Sequence, residues 1–203
     1  MLILKLAVEI LILWVCYILY MAILVHRRGP LDGIFFYLKC VQDRTVELGC
    51  GGGRNTGALL KRWPDAKLTA VDYSALSVEK TKAYNREQIA AGRCTVLQGD
   101  VKSLPFADES FDLATAFETV YFWPGLTACF TEVCRVLRPG GTFLICNESD
   151  GTDETGLKFE KIIDGMKCHT VEELSAALKA AGFSGVTVDH FANKPWITVL
   201  ARK

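Results

Sequence analysis

The first residues able to do chemistry are Glu47, Gly49, Gly51 and Gly53, in the stretch Val46-Glu47-Leu48-Gly49-Cys50-Gly51-Gly52-Gly53-Arg54-Asn55. Alternating glycines let a loop turn sharply and bring its backbone within van der Waals reach of a ligand, where a Cβ would obstruct. An apolar, β-branched run enters the cluster, and a helix-compatible segment, Thr56 to Trp63, leaves it. Strand, tight loop and helix start make a nucleotide-type cradle. The dinucleotide fingerprint G-x-G-x-x-G/A fails in both registers, because Arg54 or Thr56 stands at its third glycine. Hydride chemistry on a nicotinamide cofactor is therefore the weaker reading.

A second candidate stands 23 residues past Gly49, where the predicted strand Lys67 to Val71 finishes in Asp72-Tyr73-Ser74. An acid at the tip of the second parallel strand lies where a ribose diol would sit beside the glycine loop. A carboxylate can accept from both hydroxyls, at about 1.5–3 kcal/mol for each charged hydrogen bond. Asp72 could instead cap the helix that starts near Ser74. The glycine loop in front of it favours the ribose.

These groups must be positioned by the rest of the chain. Ser74 to Ala91 reads as one long helix closed by Gly92, Cys94 to Gln98 as a third strand, and Asp112 to Phe117 as a fourth. Ligands of open α/β sheets sit outside the carboxyl ends of the strands where strand order reverses, here between strands one and four. The loop Glu118 to Pro124 then faces the ligand, with Glu118, Thr119, Tyr121, Phe122 and Trp123 as substrate-side candidates. Packing beneath the next helix is the alternative for the aromatics. Leu126 to Leu137 is amphipathic, Pro139-Gly140-Gly141 turns the chain, and Thr142 to Cys146 is a fifth strand. Asn147 and Glu148 follow as the nearest polar groups on the acceptor side. Asp150, Asp153 and Glu154 lack calcium-loop spacing and read as a solvated loop. Thr170-Val171-Glu172-Glu173 is a capping box, and Val186 to His190 with Trp196 to Ala201 reads as an antiparallel pair. Such alternation implies a doubly wound, mostly parallel α/β sheet of seven strands, closed by an antiparallel C-terminal hairpin.

An acid two places before G-x-G-x-G, here Glu47 before Gly49, Gly51 and Gly53, resembles motif I of the class I S-adenosylmethionine-dependent methyltransferases. Leu104-Pro105-Phe106 with Phe111-Asp112, and Glu132 to Gly141 as E-x-x-R-V-L-x-P-G-G, resemble further segments of that family. The likeness covers roughly residues 43 to 147 and is nearest to the small-molecule enzymes of ubiquinone and menaquinone biosynthesis. It implies a Rossmann-like methyltransferase fold with S-adenosyl-L-methionine as cofactor. It places Asp72 and Tyr73 by the ribose, Asp100 at the adenine amino group, Val101 against the ring and the backbone near Phe117 at the methionine moiety. It implies in-line methyl displacement onto a small-molecule acceptor. The family names no universal base; Glu118 and Tyr121 are the catalytic candidates, with Tyr121, Trp123, Asn147 and Glu148 on the substrate side.

Lys and Arg number 23, as do Asp and Glu, so no basic field requests nucleic acid. Eight cysteines without a C-x-x-C pair, and three histidines, give no metal-site grammar and read as reduced thiols. From Leu6 to Val25 the one charge is Glu9, and twelve of these twenty residues are Leu, Ile or Val. That suits a helix crossing a ~30 Å hydrocarbon core, with an insertion gain of about 5 kcal/mol against about 3 for the acid. His26-Arg27-Arg28 keeps the following domain, residues 29–203, on the cytoplasmic side. The expected protein is a methyltransferase domain on a membrane anchor over residues 6–25, within an apolar N-terminal segment 1–28. A helix packed on a soluble cytoplasmic domain is the alternative for that segment. An anchored module that binds the cofactor without transferring its methyl is the rival function.

Overall fold

The computed structural model describes residues 44–203. The apolar run 6–25 and the boundary after residue 28 lie outside the described residues. Among those described, no helix is long and apolar enough to cross a membrane.

The elements follow in order as β1 (Thr45–Leu48), α1 (Arg54–Arg62), β2 (Leu68–Asp72), α2 (Ala75–Tyr84), α3 (Arg86–Ala90), β3 (Cys94–Gln98) and β4 (Phe111–Phe117). After a 3-10 turn, Val120–Phe122, come α4 (Leu126–Val136), β5 (Leu137–Asn147), α5 (Glu154–Ile162), α6 (Val171–Ala180), β6 (Gly185–His190) and β7 (Ile197–Arg202). The strands form one seven-stranded sheet in the order β3-β2-β1-β4-β5-β7-β6. Strands β1 to β5 pair in parallel, and β7 runs antiparallel to both β5 and β6. Strand order reverses between β1 and β4, which fixes the ligand crevice at their carboxyl ends. The mostly parallel sheet with its antiparallel hairpin is the one the alternation of elements implied.

Helix α4 shows why the pattern works. Cys129, Phe130, Val133 and Val136 are fully buried, at the three- and four-residue spacing of one helical face. They meet Phe143 and Ile145 of β5, Leu174 and Leu178 of α6, and Val199 of β7 in one core. The capping box at Thr170 and Glu173 is present and opens α6. Arg135 explains why Leu104-Pro105-Phe106 and E-x-x-R occur together. Its guanidinium donates to the carbonyls of Phe106 and Leu104, while Glu132 Oε1 accepts from the Leu104 N–H at 2.7 Å. The pair staples that loop to α4.

Two expectations need correction. The helix expected over 74–91 is two, because Asn85 leaves helical geometry (φ −104°, ψ 22°) and ends α2. Its side-chain amide is drawn instead to the carbonyls of Gly53 and Thr81. Strand β5 begins at Leu137, not Thr142. Leu137 already pairs with Phe111, and a bulge over the Pro-Gly-Gly run shifts the register before Leu113 meets Thr142.

Candidate functional site

The glycine loop leaves β1 with Gly49 and Gly51 in the left-handed region, at φ 83° and 54°. An ordinary residue would be strained by roughly 1–2 kcal/mol at each. Their surroundings differ. A Cβ on Gly49 would fall 2.1 Å from Thr119 Oγ1, so the loop after β4 closes directly on this glycine. A Cβ on Gly51 would meet nothing within 4 Å, so that glycine borders open space.

The loop is held on every side. Gly49 and Cys50 donate backbone N–H groups to the Val71 carbonyl, at 2.8 and 3.1 Å. Gly51 donates its N–H to Asp72 Oδ2 at 2.9 Å, and Ser74 donates to Asp72 Oδ1 at 2.9 Å. From α2, Thr81 Oγ1 donates to the Gly51 carbonyl at 3.0 Å, and Asn85 Nδ2 to the Gly53 carbonyl at 2.9 Å. Thr81 and Asn85 are site-shaping residues that the sequence reading missed. Their signal was a pair of polar residues at i and i+4 in the helical stretch after Asp72.

Beneath the loop lies Glu47, fully buried on β1. Its Oε2 accepts a short hydrogen bond from Thr56 Oγ1, and its Oε1 is unpartnered. Burial pushes this carboxyl up to about 8, partly relieved by the Thr56 bond and worsened by the charge of Asp72. A desolvated acid with a spare oxygen, an open position at Gly51 and a carboxylate at the adjacent strand tip together fit an adenosyl group with an amino-acid tail. Farther along the same edge, Tyr73 is 78% exposed and Asp100 is exposed, its Oδ1 accepting the Lys102 N–H at 2.9 Å. Val101 packs half-buried against the core, and Phe117 is buried at the end of β4.

The loop after β4 opens on a strained residue. Glu118 has φ 56° while its N–H donates to the Cys146 carbonyl at 3.0 Å. Desolvation raises its carboxyl well above the ordinary range. The charge of Glu148 adds to this, and hydrogen bonds from the Glu148 N–H and Tyr121 oppose it. Tyr121 is buried, and its hydroxyl accepts the Ser149 N–H at 3.0 Å. Burial and the neighbouring Glu118 drive the phenol upward, which keeps it protonated. Glu148 is half-buried and likewise raised by burial, with Lys194 opposing. Asn147 is 2% exposed, with neither amide atom hydrogen-bonded.

Trp123, expected on the substrate side, packs with the core cluster while its Nε1 donates to Thr119 Oγ1 at 3.3 Å. It is 7% exposed, stacks on Phe143 with ring centroids 6.0 Å apart at 5°, and meets Phe130 at 5.9 Å. After the 3-10 turn Val120–Phe122, the ring of Trp123 falls under the loop on the core side. Ser149 and His169, which the sequence reading passed over, lie in the segments that Tyr121 touches. Phe122 remains half exposed.

Among the described residues no group of His, Cys, Asp and Glu is placed to hold a metal ion. A separate groove of about 430 Å³, lined by Arg44, Lys67, Arg93 and Phe111 among others, lies at the amino ends of the strands, remote from the loops above. Arg93 there is tied to the carbonyls of Leu60 and Trp63.

Comparison with known proteins agrees with this geometry. A family described as "Methyltransferase domain" matches residues 46–145. The chain is 26% identical over 172 residues to the methyltransferase phqN of Penicillium fellutanum, covering 78% of this chain and 52% of the relative. It is 36% identical over 101 residues to a fatty-acid O-methyltransferase of Mycolicibacterium smegmatis, covering 50% of this chain and 35% of the relative. The chain thus spans about half, or less, of the length of these curated relatives. Its fold is similar to the crystal structure of an S-adenosylmethionine-dependent methyltransferase from Mesorhizobium loti. The TM-score is 0.70 at 20% identity, with 86% of this chain and 97% of that one covered.

Proposed function

Because this chain belongs, through residues 46–145, to the class I S-adenosylmethionine-dependent methyltransferase family, we propose that it moves the cofactor's methyl group onto a small, lipophilic molecule. The observation that carries the reading is Asp72, locked to Gly51 at the tip of β2 beside the glycine loop, where a ribose diol would sit. The bound cofactor supplies an electrophilic methyl on a sulfonium. With it bound, the acceptor's nucleophile would take that methyl as the sulfur–methyl bond broke, the sulfur keeping the electron pair.

This chain's residues bind and orient. Asp72, flanked by Tyr73, takes the ribose hydroxyls. Asp100 takes the adenine amino group, Val101 lies against the ring, and the backbone at Phe117 holds the amino-acid end. Glu47, through Thr56, with Gly49, Gly51 and Gly53, shapes the loop. Holding nucleophile, methyl and sulfur in line can lower the barrier by about 7–11 kcal/mol. Where the acceptor is a protonated nucleophile, its proton goes to the Glu118 carboxylate, whose hold on a proton burial strengthens. Tyr121, kept as a phenol, is a hydrogen-bonding and positioning group beside Glu118 and not the base.

The lipophilic acceptor is supported by a relative named for fatty acids and by the apolar run 6–25, which we take as a membrane anchor. Recovery of the full chain in the soluble fraction without detergent would remove the anchor from the proposal. The test of function is incubation of the full chain with methyl-labelled S-adenosylmethionine and long-chain alcohols, amines, fatty acids and sterols. Label in an organic-phase product supports transfer. Stoichiometric cofactor binding with no product from any class would favour the module that holds the cofactor without using it.

A further inference from the structure

Asn147 and His169 present an unusual combination. They are 2% and 6% exposed, yet the Asn147 amide oxygen and nitrogen and both His169 ring nitrogens lack a hydrogen-bond partner. Glu173 Oε2 lies 3.5 Å from the imidazole Nδ1, beyond good hydrogen-bond reach and already engaged by the Thr170 N–H. Leaving one buried polar group unsatisfied costs about 1–3 kcal/mol, so such atoms call for a partner.

Their placement is specific. Asn147 ends β5 opposite Ile197, and cross-strand partners share a sheet face. Ile197 belongs to the core cluster, so Asn147 lies on the face covered by α4 and α6, at its ligand end. His169 stands two residues before α6. The loop after Asn147 packs on the backbone of His169: a Cβ on Gly151 would fall 2.5 Å from the His169 carbonyl carbon. Tyr121 ties both segments. Its hydroxyl accepts from Ser149 N–H, and its carbonyl accepts from Lys167 N–H at 2.8 Å. The two unpartnered side chains therefore stand on segments that both bond to Tyr121, the residue that borders Glu118.

We infer that Asn147 and His169 form a recognition pair for an uncharged group of the acceptor that both donates and accepts hydrogen bonds, a hydroxyl or a carboxamide. An amide side chain offers two donors and an acceptor, and a neutral imidazole offers one of each. Burial and Lys167 hold the imidazole toward its neutral form. A carboxylate or an ammonium would give up its hydration at these buried side chains without a counter-charge on the pair. The inference rests on the methyl-transfer reading and adds the chemistry of the acceptor.

The test is calorimetry on the full chain saturated with S-adenosylhomocysteine, titrated with 1-octanol, octanamide, octanoate and octylamine. Octanol and octanamide should bind at least tenfold more tightly than octanoate and octylamine. Asn147→Leu and His169→Phe should each erase that preference while S-adenosylhomocysteine affinity stays within twofold. Equal binding of all four probes, or an unchanged preference in both variants, would overturn the inference and leave an internal water as the partner of these atoms. If the variants do not fold, the wild-type Asn147 side-chain amide resonances decide. A shift on adding octanol supports the pair, and no shift overturns it. Failure of the wild type to bind S-adenosylhomocysteine would overturn the methyl-transfer reading itself, and the inference with it.

Discussion

The backbone N–H of Gly51 donates to Asp72 Oδ2 at 2.9 Å, so the loop after β1 and the tip of β2 are fixed to each other by one charged hydrogen bond. The other carboxylate oxygen is held by Ser74 N–H. Asp72→Asn replaces one acceptor by an NH2 that must face an N–H. Losing a charge-assisted bond of about 1.5–3 kcal/mol should lower the melting temperature and weaken S-adenosylhomocysteine binding about 10- to 100-fold. Calorimetry with a thermal melt reads both. Unchanged affinity would show that Asp72 is a cap for α2 and nothing more.

Gly49 and Gly51 should separate stability from binding. Gly49→Ala forces a Cβ onto Thr119 in addition to its backbone strain, and should destabilise by more than Gly51→Ala. Gly51→Ala carries only the strain of its positive φ, roughly 1–2 kcal/mol, because its surroundings are open. The expected pattern is a folded Gly51→Ala chain that has lost most cofactor affinity. Equal melting temperatures for the two variants would contradict the close approach of Thr119.

Glu47 should make stability fall as pH rises. Its folded carboxyl is pushed up to about 8, against about 4.5 unfolded. Between those values the native state keeps a proton that the unfolded chain has released, so stability declines by up to about 1.4 kcal/mol per pH unit from this group. Glu47→Gln should remove that slope, leaving the variant the more stable at pH 8 and similar to wild type below pH 4. Parallel pH–stability curves for the two proteins would refute it.

Turnover of an acceptor that must lose a proton should rise on an alkaline limb set by Glu118, above the ordinary carboxylate range because burial favours the protonated acid. Glu118→Gln should abolish that limb and lower kcat about 10²- to 10⁴-fold with little change in cofactor affinity. A limb that survives in the variant would assign the proton elsewhere.

Local grammar carried much of this into the sequence. The glycine spacing, the acid at the tip of β2 and the Thr170–Glu173 capping box are each set by neighbours a few residues away, and each stands where it was expected. Tertiary contacts decided the rest. Trp123 and Tyr121 look alike in a loop of aromatics, but only the stacking of Trp123 on Phe143, twenty residues on, reveals which one faces the core. Asn85 reads as one more helical position until its amide is seen on the Gly53 carbonyl. The start of β5 depends on Leu137 meeting Phe111 across a bulge, which no local signal records. His169 had no sequence signal, since its interest lies in the hydrogen bonds it does not make.

Titration of the full chain with S-adenosylhomocysteine, beside NADH and beside Asp72→Ala, tests the central claim most directly. Micromolar binding of S-adenosylhomocysteine, lost in the variant and absent for NADH, is the expected result. A folded wild-type chain that ignores S-adenosylhomocysteine, or that prefers NADH, would contradict it.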